Sequence, residues 1–331
     1  MKAILPLFLV GLASASAAQA TIRVPADVPT IQAGIDAANP GDTVLVAPGT
    51  YNENLNYLGK AITVTSEGGA LVTTVDGLGL GAVVLFHSQE GPGSILDGFT
   101  ITGGVASTNP GAGIGCIDLV SGLPSATPLI TDSIIKDNTS LANGGGVGGS
   151  AILEDCTIMG NDAGSGCGGG VWGAATLRRC EVTGNTAQDG GGLYLLADAP
   201  GALVEDSTLA MNLAIDGARG GGIHAAPGLT GNTSIVVRRC LLIRNTSNGL
   251  VQASSRGGAV HVSAPAGISV IERCTILDNN AVASVGMDDF GGIYGPATVV
   301  DSIVRDNDAN QIDTQGTVVT YSNIGGGAAG S

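Results

Sequence analysis

The sequence predicts an all-β protein, a single-stranded right-handed parallel β-helix solenoid that opens with a short N-terminal capping helix. Two phrases recur along the chain, one ending in Asn and one reading Gly-Gly-Gly-apolar, and they alternate through its second half. The chain contains 55 glycines, yet 44% of its residues are hydrophobic, which is more than a disordered chain carries. Many short strands joined by tight turns account for both observations.

The first 20 residues have the features of a secretory signal peptide. Lys2 gives a positive start, residues 3–12 form an apolar stretch, and Ala18-Gln19-Ala20 has the small-x-small pattern of a cleavage site. The apolar stretch is too short to span a bilayer, and no later stretch is long enough. We therefore expect a protein without a transmembrane segment that is secreted or displayed at the cell surface after cleavage behind Ala20.

Residues 21–60 are expected to form the N-terminal cap and first coil, and residues 61–331 the β-helix repeats. Thr30 is a suitable N-cap for a short helix on which Ile31 and Ile35 share one face. Such a helix would cover the apolar interior of the first coil. No equivalent cap is evident in the C-terminal sequence, and end-to-end self-association is one way of covering that end.

The first recurring phrase contains an apolar pair, charged residues, a Cys or Ser, alternating apolar residues and an Asn. The Cys or Ser stands at positions 133, 156, 180, 207, 240, 274 and 302, and an Asn follows each one five residues later. A core phrase of about 23 residues with period-2 alternation describes one coil of short strands, so the extra residues of longer copies become outward loops. We expect the Asn residues to form an internal amide ladder.

Charged residues alternate in sign from copy to copy, as expected if the coils stack in register. Coils about 4.8 Å apart place equivalent residues side by side, where like charges repel. Two positions before the Cys or Ser, the residues are Glu154, Arg178, Glu205, Arg238 and Glu272. One position before it, they are Asp155, Arg179, Asp206, Arg239, Arg273 and Asp301. We interpret both columns as stacked surface ion pairs with a structural role.

Several motifs near the N-terminus are characteristic of a known family. They are Pro29-Thr30-Ile31-Gln32-Ala33, Gly41-Asp42-Thr43-Val44, Ala47-Pro48-Gly49-Thr50-Tyr51 and Ile95-Leu96-Asp97-Gly98-Phe99. These motifs resemble the opening of pectin-lyase-like right-handed parallel β-helix repeat proteins, and with the repeats the resemblance covers nearly all of the chain after residue 20. It implies the fold and leaves the activity open, because the family includes polysaccharide lyases, hydrolases, adhesins and members of unknown role.

The charge balance and the cysteines argue against some partners and sites. Without Lys2, 12 basic residues stand against 28 acidic ones, which argues against nucleic acid, whose phosphates need a basic surface. Six cysteines in an exported chain suggest disulfides, but stacking would align Cys156 with Cys180 and Cys240 with Cys274 in parallel, a poor geometry for a bridge. We therefore expect free or buried thiols, and their spacing resembles no zinc site.

Two columns of residues frame the Gly-Gly-Gly-apolar phrase and form the candidate binding face. The first follows the phrase, where alternation should point side chains outward: Gly148, Trp172, Tyr194, His224, His261 and Tyr294. The second lies four positions before the apolar residue: Asn143, Cys167, Asp189, Arg219, Arg256 and Asp289. Rings offer faces for sugars to stack on, and charged groups bind hydroxyls and carboxylates. We expect ligand contacts from Trp172, Tyr194, His224, His261, Tyr294, Asp189 and Asp289.

The same columns have a catalytic and a structural interpretation. In a lyase, His224 or His261 would abstract a proton while Arg219 or Arg256 stabilised the enolate. Asp189 and Asp289 could hold a cation such as Ca²⁺, although no cofactor or metal site is predicted, because the histidines lack a third ligand and calcium-binding repeats are absent. In the structural interpretation, the rings stack for stability and the arginines neutralise the neighbouring aspartates.

Three function classes therefore remain open at the level of the sequence. The first is a non-catalytic exported protein that binds, or is displayed to, polysaccharides or cell-surface glycans. The second is a polysaccharide lyase or hydrolase, with a lyase favoured if the protein is an enzyme. The third is a structural or adhesive surface solenoid. We rank glycan binding first, because most carboxylates belong to the alternating columns and do not converge in one groove.

Overall fold

The computed structural model describes residues 18–118, 124–196, 202–228, 234–249, 255–263, 269–283, 290–308, 310–313 and 316–325. Within these ranges the chain forms the right-handed parallel β-helix predicted from the sequence, with one helix. The segment interpreted as a signal peptide lies, apart from its last three residues, outside the described ranges. In the described part of the chain, no helix has the length and apolar character needed to cross a membrane.

Three long parallel sheets form the sides of the coil. Sheet A contains β1 (Thr21–Val24), β2 (Thr43–Val46), β5 (Thr63–Ser66), β8 (Ile95–Asp97), β12 (Leu129–Thr131), β16 (Ile152–Glu154), β19 (Thr176–Arg178), β23 (Ala202–Glu205), β27 (Ile235–Arg238), β31 (Val270–Glu272), β35 (Thr298–Val300) and β38 (Val318–Thr320). Sheet B contains β3 (Gly49–Asn52), β6 (Thr73–Asp76), β9 (Thr100–Thr102), β13 (Ile134–Lys136), β17 (Thr157–Met159), β20 (Glu181–Thr183), β24 (Thr208–Ala210), β28 (Leu241–Ile243), β32 (Thr275–Leu277), β36 (Ile303–Arg305) and β39 (Asn323–Gly325).

Sheet C carries the candidate face. It contains β4 (Leu55–Asn56), β7 (Val84–Phe86), β11 (Ile114–Cys116), β15 (Val147–Gly149), β18 (Val171–Gly173), β22 (Leu193–Leu196), β26 (Ile223–Ala226), β30 (Val260–Val262), β34 (Phe290–Tyr294) and β37 (Asn310–Ile312). Two smaller sheets lie between B and C, one of β10 (Val105–Ala106) and β14 (Thr139–Ser140), the other of β21 (Thr186–Asp189), β25 (Leu213–Arg219), β29 (Thr246–Gly249) and β33 (Asn280–Ala283).

The helix α1 (Ile31–Ala37) forms at the position expected for a cap. The Thr30 side chain accepts a hydrogen bond from the Ala33 N–H, so Thr30 is the N-cap. Ile31 and Ile35 are fully buried against the first strands. The last strands differ, since Val318 is 57% and Tyr321 is 92% exposed. End-to-end association of this protein stays a prediction.

The predicted asparagine ladder is confirmed. Six successive bonds join the Nδ2 of one side chain to the Oδ1 of the next, at 2.8–3.0 Å, along Asn138, Asn161, Asn185, Asn212, Asn245, Asn279 and Asn307. Asn307 continues the series by donating to the Oε1 of Gln311 at 2.9 Å. All seven asparagines are buried, so every rung matters, because an unpaired amide in this interior would cost about 1–3 kcal/mol.

The alternating charges also pair as predicted. Arg178 contacts Glu154 at 2.9 Å, and Arg179 contacts Asp155 at 2.7 Å. Arg238 and Arg239 repeat the arrangement with Glu205 and Asp206 in the next two coils. The charged residue one position before each Cys or Ser has a left-handed backbone conformation. Its φ lies between 47° and 55° in every copy from Asp132 to Asp301. The sequence pattern does not reveal this conformation.

Candidate binding face

The strand register of sheet C places the first column on consecutive rungs. Trp172 pairs with Tyr194, and Tyr194 pairs with His224. His224 pairs with His261, which pairs with Tyr294. Each pair is one strand apart, about 4.8 Å. The five rings therefore form one continuous row on the outer side of sheet C.

Only the ends of this row reach the solvent. Trp172, Tyr194 and Tyr294 are partly exposed, whereas His224 is 1% and His261 is 4% exposed. The expectation that the whole column faces solvent is therefore wrong for the two histidines. They point away from the coil, yet almost none of their surface is exposed.

The buried histidines belong to a packed aromatic stack. The ring centroids of Tyr194 and His224 are 4.7 Å apart, those of His224 and His261 are 4.6 Å apart, and those of His261 and Tyr294 are 5.3 Å apart. The Arg256 guanidinium carbon lies 4.9 Å from the centroid of Tyr294, in a cation–π arrangement. This part of the row is stabilised by its own contacts, as the structural interpretation requires.

Burial also makes the histidines poor proton acceptors. The Nε2 of His224 lies 2.8 Å from the Oγ of Ser263, while the Nδ1 atoms of His224 and His261 have no hydrogen-bond partner among the described residues. Burial, reinforced by Arg219, lowers the pKa of His224 to about 3. Burial, His224 and the two arginines lower the pKa of His261 as well. A general base works best with a pKa near the working pH, so this environment disfavours either histidine as a lyase base.

The second column is partly as predicted. Asp189 pairs with Cys167 on one side and with Arg219 on the other, and the Arg219 N–H donates to the Oδ1 of Asp189 at 3.1 Å. Arg219 pairs next with Arg256, which places two guanidinium groups on neighbouring rungs.

At the end of the second column, the predicted position of Asp289 is wrong. Arg256 pairs with Phe290, so the register position assigned to Asp289 is occupied by Phe290. Asp289 itself lies outside the described residues. The shift arises because Val260 follows Arg256 by four positions, whereas Ile293, the partner of Val260, follows Phe290 by only three. The Phe290 ring is 5.1 Å from that of Tyr294.

The groups around Tyr194 form a partly desolvated polar cluster. Burial raises the pKa of Asp189, and Arg219 opposes that shift. Burial raises the pKa of Tyr194 to about 12, and the nearby Cys167 and Asp189 add to the effect. The Cys167 thiol has its pKa raised to about 12 for the same reason. Asp189 and Tyr194 can therefore offer partly desolvated polar groups to a ligand, and the exposed Arg219 beside them can donate hydrogen bonds.

The described residues contain no cluster of three or more His, Cys, Asp or Glu side chains that could hold a metal ion. All six cysteines are free, and five of them are buried. The role of Asp189 and Asp289 in binding a cation stays a prediction.

Sequence reasoning missed two contributors to the face. Ser263 follows β30 and supplies the partner of His224, and Phe290 packs beside Tyr294. Ser263 lies two residues after His261 and so shares its side of the strand, which alternation could have shown. Phe290 was missed because equal spacing between the copies assigned its register position to Asp289.

No protein-family model matches the chain, and no curated protein is similar in sequence. Similar solved structures include a pectin methylesterase mutant in complex with a hexasaccharide, at 12% identity, TM-score 0.44, over 70% of this chain and 80% of that one. The pectin methylesterase from Aspergillus niger has 13% identity and TM-score 0.41 over 96% and 88%. The polygalacturonase from Erwinia carotovora has 9% identity and TM-score 0.44 over 95% and 100%. With all three scores below 0.5, the fold assignment rests on the register of the chain's own strands.

Proposed function

We propose that this protein is exported and binds polysaccharides or cell-surface glycans through an aromatic patch. The patch consists of Trp172, Tyr194, Asp189 and Arg219. The observation that carries the proposal is the pairing of Trp172 with Tyr194 on adjacent rungs, both partly exposed on the outer side of sheet C. Flat rings on a rigid sheet offer apolar faces at little conformational cost.

The polar groups beside the rings fit a hydroxyl-rich ligand. Asp189 lies one rung from Arg219, which is exposed. A carboxylate accepts hydrogen bonds from hydroxyls, and a guanidinium donates to hydroxyl or carboxylate oxygens. The net charge of −15 repels densely anionic polymers, so we expect neutral or sparsely charged polysaccharides to bind best.

The two buried histidines continue the row of rings beyond Tyr194 and do not contact the ligand. His224 packs edge-on against Tyr194 at 4.7 Å and is itself covered. This limits the contact surface to the exposed end of the row. Tyr294, at the other end, packs against Arg256 and Phe290.

Trp172 provides a direct test, because it is the only tryptophan of the chain. Its fluorescence should change when neutral polysaccharides are added, and Trp172→Ala and Tyr194→Ala variants should each lose binding by about tenfold or more. Tyr321→Ala is a matched control, since Tyr321 is an exposed aromatic residue far along the chain from the patch. Retention of the Trp172→Ala, Tyr194→Ala double variant on the same polysaccharides as the original protein would refute the proposal.

The same samples decide between binding and catalysis. Absorbance of unsaturated sugar ends reports a lyase, and new reducing ends report a hydrolase. We expect neither signal. Product release that disappears in an Arg219→Ala or Arg256→Ala variant would make the protein an enzyme and overturn the non-catalytic assignment.

A further inference from the structure

A separate groove of about 490 Å³ opens on the outer side of sheet C, nearer the N-terminal end than the aromatic patch. It lies over Leu85 of β7, between residues 79–82 and 105–111, with Asn54 at its edge. This volume falls within the range of ligand sites, roughly 300–1,000 Å³. The groove shares no residue with the patch.

Backbone hydrogen bonds fix the two walls against each other. The Gly79 N–H donates to the Gly103 oxygen at 2.7 Å, and the Val105 N–H donates to the Gly81 oxygen at 3.0 Å. The Asn54 Nδ2 donates to the Ala82 oxygen at 2.9 Å, which ties the edge of the groove to the same wall. The groove is therefore formed before any ligand arrives, which reduces the entropic cost of binding.

The groove ends at the Pro110–Gly111 segment, which packs against Gly148. Gly111 and Pro110 cross over sheet C at this point, and a Cβ on Gly148 would clash with the backbone of both residues. The absence of a side chain at Gly148 thus allows the Pro110–Gly111 backbone to pack closely here and form the end wall of the groove. It belongs to the predicted outward column by register, but its function is to let another segment approach.

The lining determines the chemistry of the ligand. It combines the apolar side chains of Leu80, Leu85 and Val105 with amide and hydroxyl groups, among them Asn54 and Thr108, and it contains no ionisable side chain. Leu80 is 75% and Val105 is 43% exposed, so the groove presents apolar side chains to the solvent. An uncharged ring with an apolar face and peripheral hydroxyls, as in a neutral glycosyl unit, complements this lining.

The position of the groove relates it to the patch. Leu85 pairs with Gly115, Gly115 with Gly148, and Gly148 with Trp172. Leu85 therefore lies three rungs from Trp172, about 14 Å along the axis of the coil. Several consecutive glycosyl units span such a distance.

We propose that this groove is a second glycan subsite, which holds neutral glycosyl units of the same polysaccharide that stacks on Trp172 and Tyr194. The inference rests on the proposed function of the patch. A chain bound at both places would follow the axis of the β-helix and pass over the Pro110–Gly111 segment. Occupying two subsites joined by one ligand strengthens binding without any further contact.

The test compares groove and patch variants with three neutral hexasaccharides, cellohexaose, xylohexaose and mannohexaose, by isothermal titration calorimetry. Val105→Arg and Leu80→Arg each place a long charged side chain at the groove, and both positions are exposed, so the fold should tolerate them. Leu71→Arg is the matched control, since Leu71 is 89% exposed and does not line the groove. We expect both groove variants to weaken the binding of the hexasaccharide by about tenfold, with no change in Leu71→Arg.

The outcomes separate this inference from the proposed function. Weaker binding in both groove and Trp172→Ala variants supports both. Weaker binding in Trp172→Ala alone refutes the groove as a subsite and leaves the patch intact. Weaker binding in the groove variants alone supports the groove as a glycan site and refutes the patch. Absence of binding to all three hexasaccharides by the unaltered protein refutes the groove proposal, and the polysaccharide retention experiment then decides the patch.

Discussion

The rings of His224 and His261 lie on neighbouring rungs with their centroids 4.6 Å apart, buried within an acidic protein. Both have their pKa lowered, chiefly by burial. Neither ring can accept a proton without placing a charge in this stack and beside the other imidazole. The pair is therefore an acid-sensitive point of the fold.

We predict that the free energy of unfolding falls as the pH is lowered below about 6.5. The unfolded histidines have a pKa near 6.5, whereas that of His224 in the folded protein is about 3, so between these values the unfolded state binds more protons. The stabilisation is complete above pH ~6.5 and is lost as the pH falls, by an amount on the order of a few kcal/mol.

Denaturant unfolding at several pH values between about 7.5 and 4.5 measures this dependence. A His224→Gln, His261→Gln variant should show a flatter profile, while His87→Gln, at a partly exposed histidine, should follow the original protein. An equally steep profile in the double variant would assign the acid sensitivity to other groups.

The asparagine ladder should be intolerant of interruption. Replacing Asn212 by Ala removes the acceptor of both the N–H and the Nδ2 of Asn185. It also removes the Nδ2 donor to the Oδ1 of Asn245, which keeps only the backbone N–H of residue 212 as a donor from that coil. Because these groups are buried, we expect a loss of about 2–5 kcal/mol in the free energy of unfolding. Asn323→Ala, at an exposed position, should cost less than about 0.5 kcal/mol. Similar losses in the two variants would show that the ladder contributes little.

The charge ladder should respond to reversal and to salt. Arg178→Glu would place three glutamates on consecutive rungs, since Glu154 and Glu205 flank it by register. We expect a destabilisation of about 1 kcal/mol that shrinks in about 1 M NaCl, because these side chains are partly exposed and screened. The second reversal Glu154→Arg in the same chain should recover part of the loss, because it restores an opposite-charge pair with residue 178, and Thr131, the other neighbour of residue 154, is uncharged. A loss that is unchanged by salt would indicate a packing defect instead.

The thiols should be inert in the native protein. Five cysteines are buried, and burial raises the pKa of the sixth, Cys167, to about 12. Because the thiolate is the reactive species, a disulfide reagent at about pH 8 should label none of them rapidly, and all six after unfolding in guanidinium chloride. Rapid labelling of one native thiol, identified by mass spectrometry, would show that Cys167 is more accessible than its surroundings imply.

The repeats allowed most of the fold to be predicted, since each copy places an apolar residue, a charged residue and an Asn at fixed intervals. The pairings of Glu154 with Arg178 and of Asn185 with Asn212 follow directly from those intervals. The candidate face was harder to predict. Alternation gives the direction in which His224 points, but only the three-dimensional packing around its ring decides that it is buried.

The groove could not be predicted from the repeat pattern, for a related reason. It forms among the early coils, where the recurring phrases are degenerate and the walls are irregular segments held by backbone hydrogen bonds between residues such as Gly81 and Val105. Similarly, the segment from Phe290 to Ile293 is one residue shorter than the segment from Arg256 to Val260, so Phe290 occupies the register position expected for Asp289. Both features depend on loop geometry, which residue spacing does not encode.

The continuous row of amides also limits how the molecule can change in length. The side chain of each Asn from Asn138 to Asn279 donates a hydrogen bond to the Asn of the following coil. Its own oxygen accepts from the preceding coil, where Gly104 is the donor to Asn138. Every coil in this series therefore has the same hydrogen-bonding groups at both of its ends. Removing or duplicating one complete coil preserves the Asn–Asn hydrogen bond between neighbouring coils, whereas gaining or losing part of a coil breaks it. Such a protein is suited to evolve, or to be engineered, by the addition and deletion of whole coils.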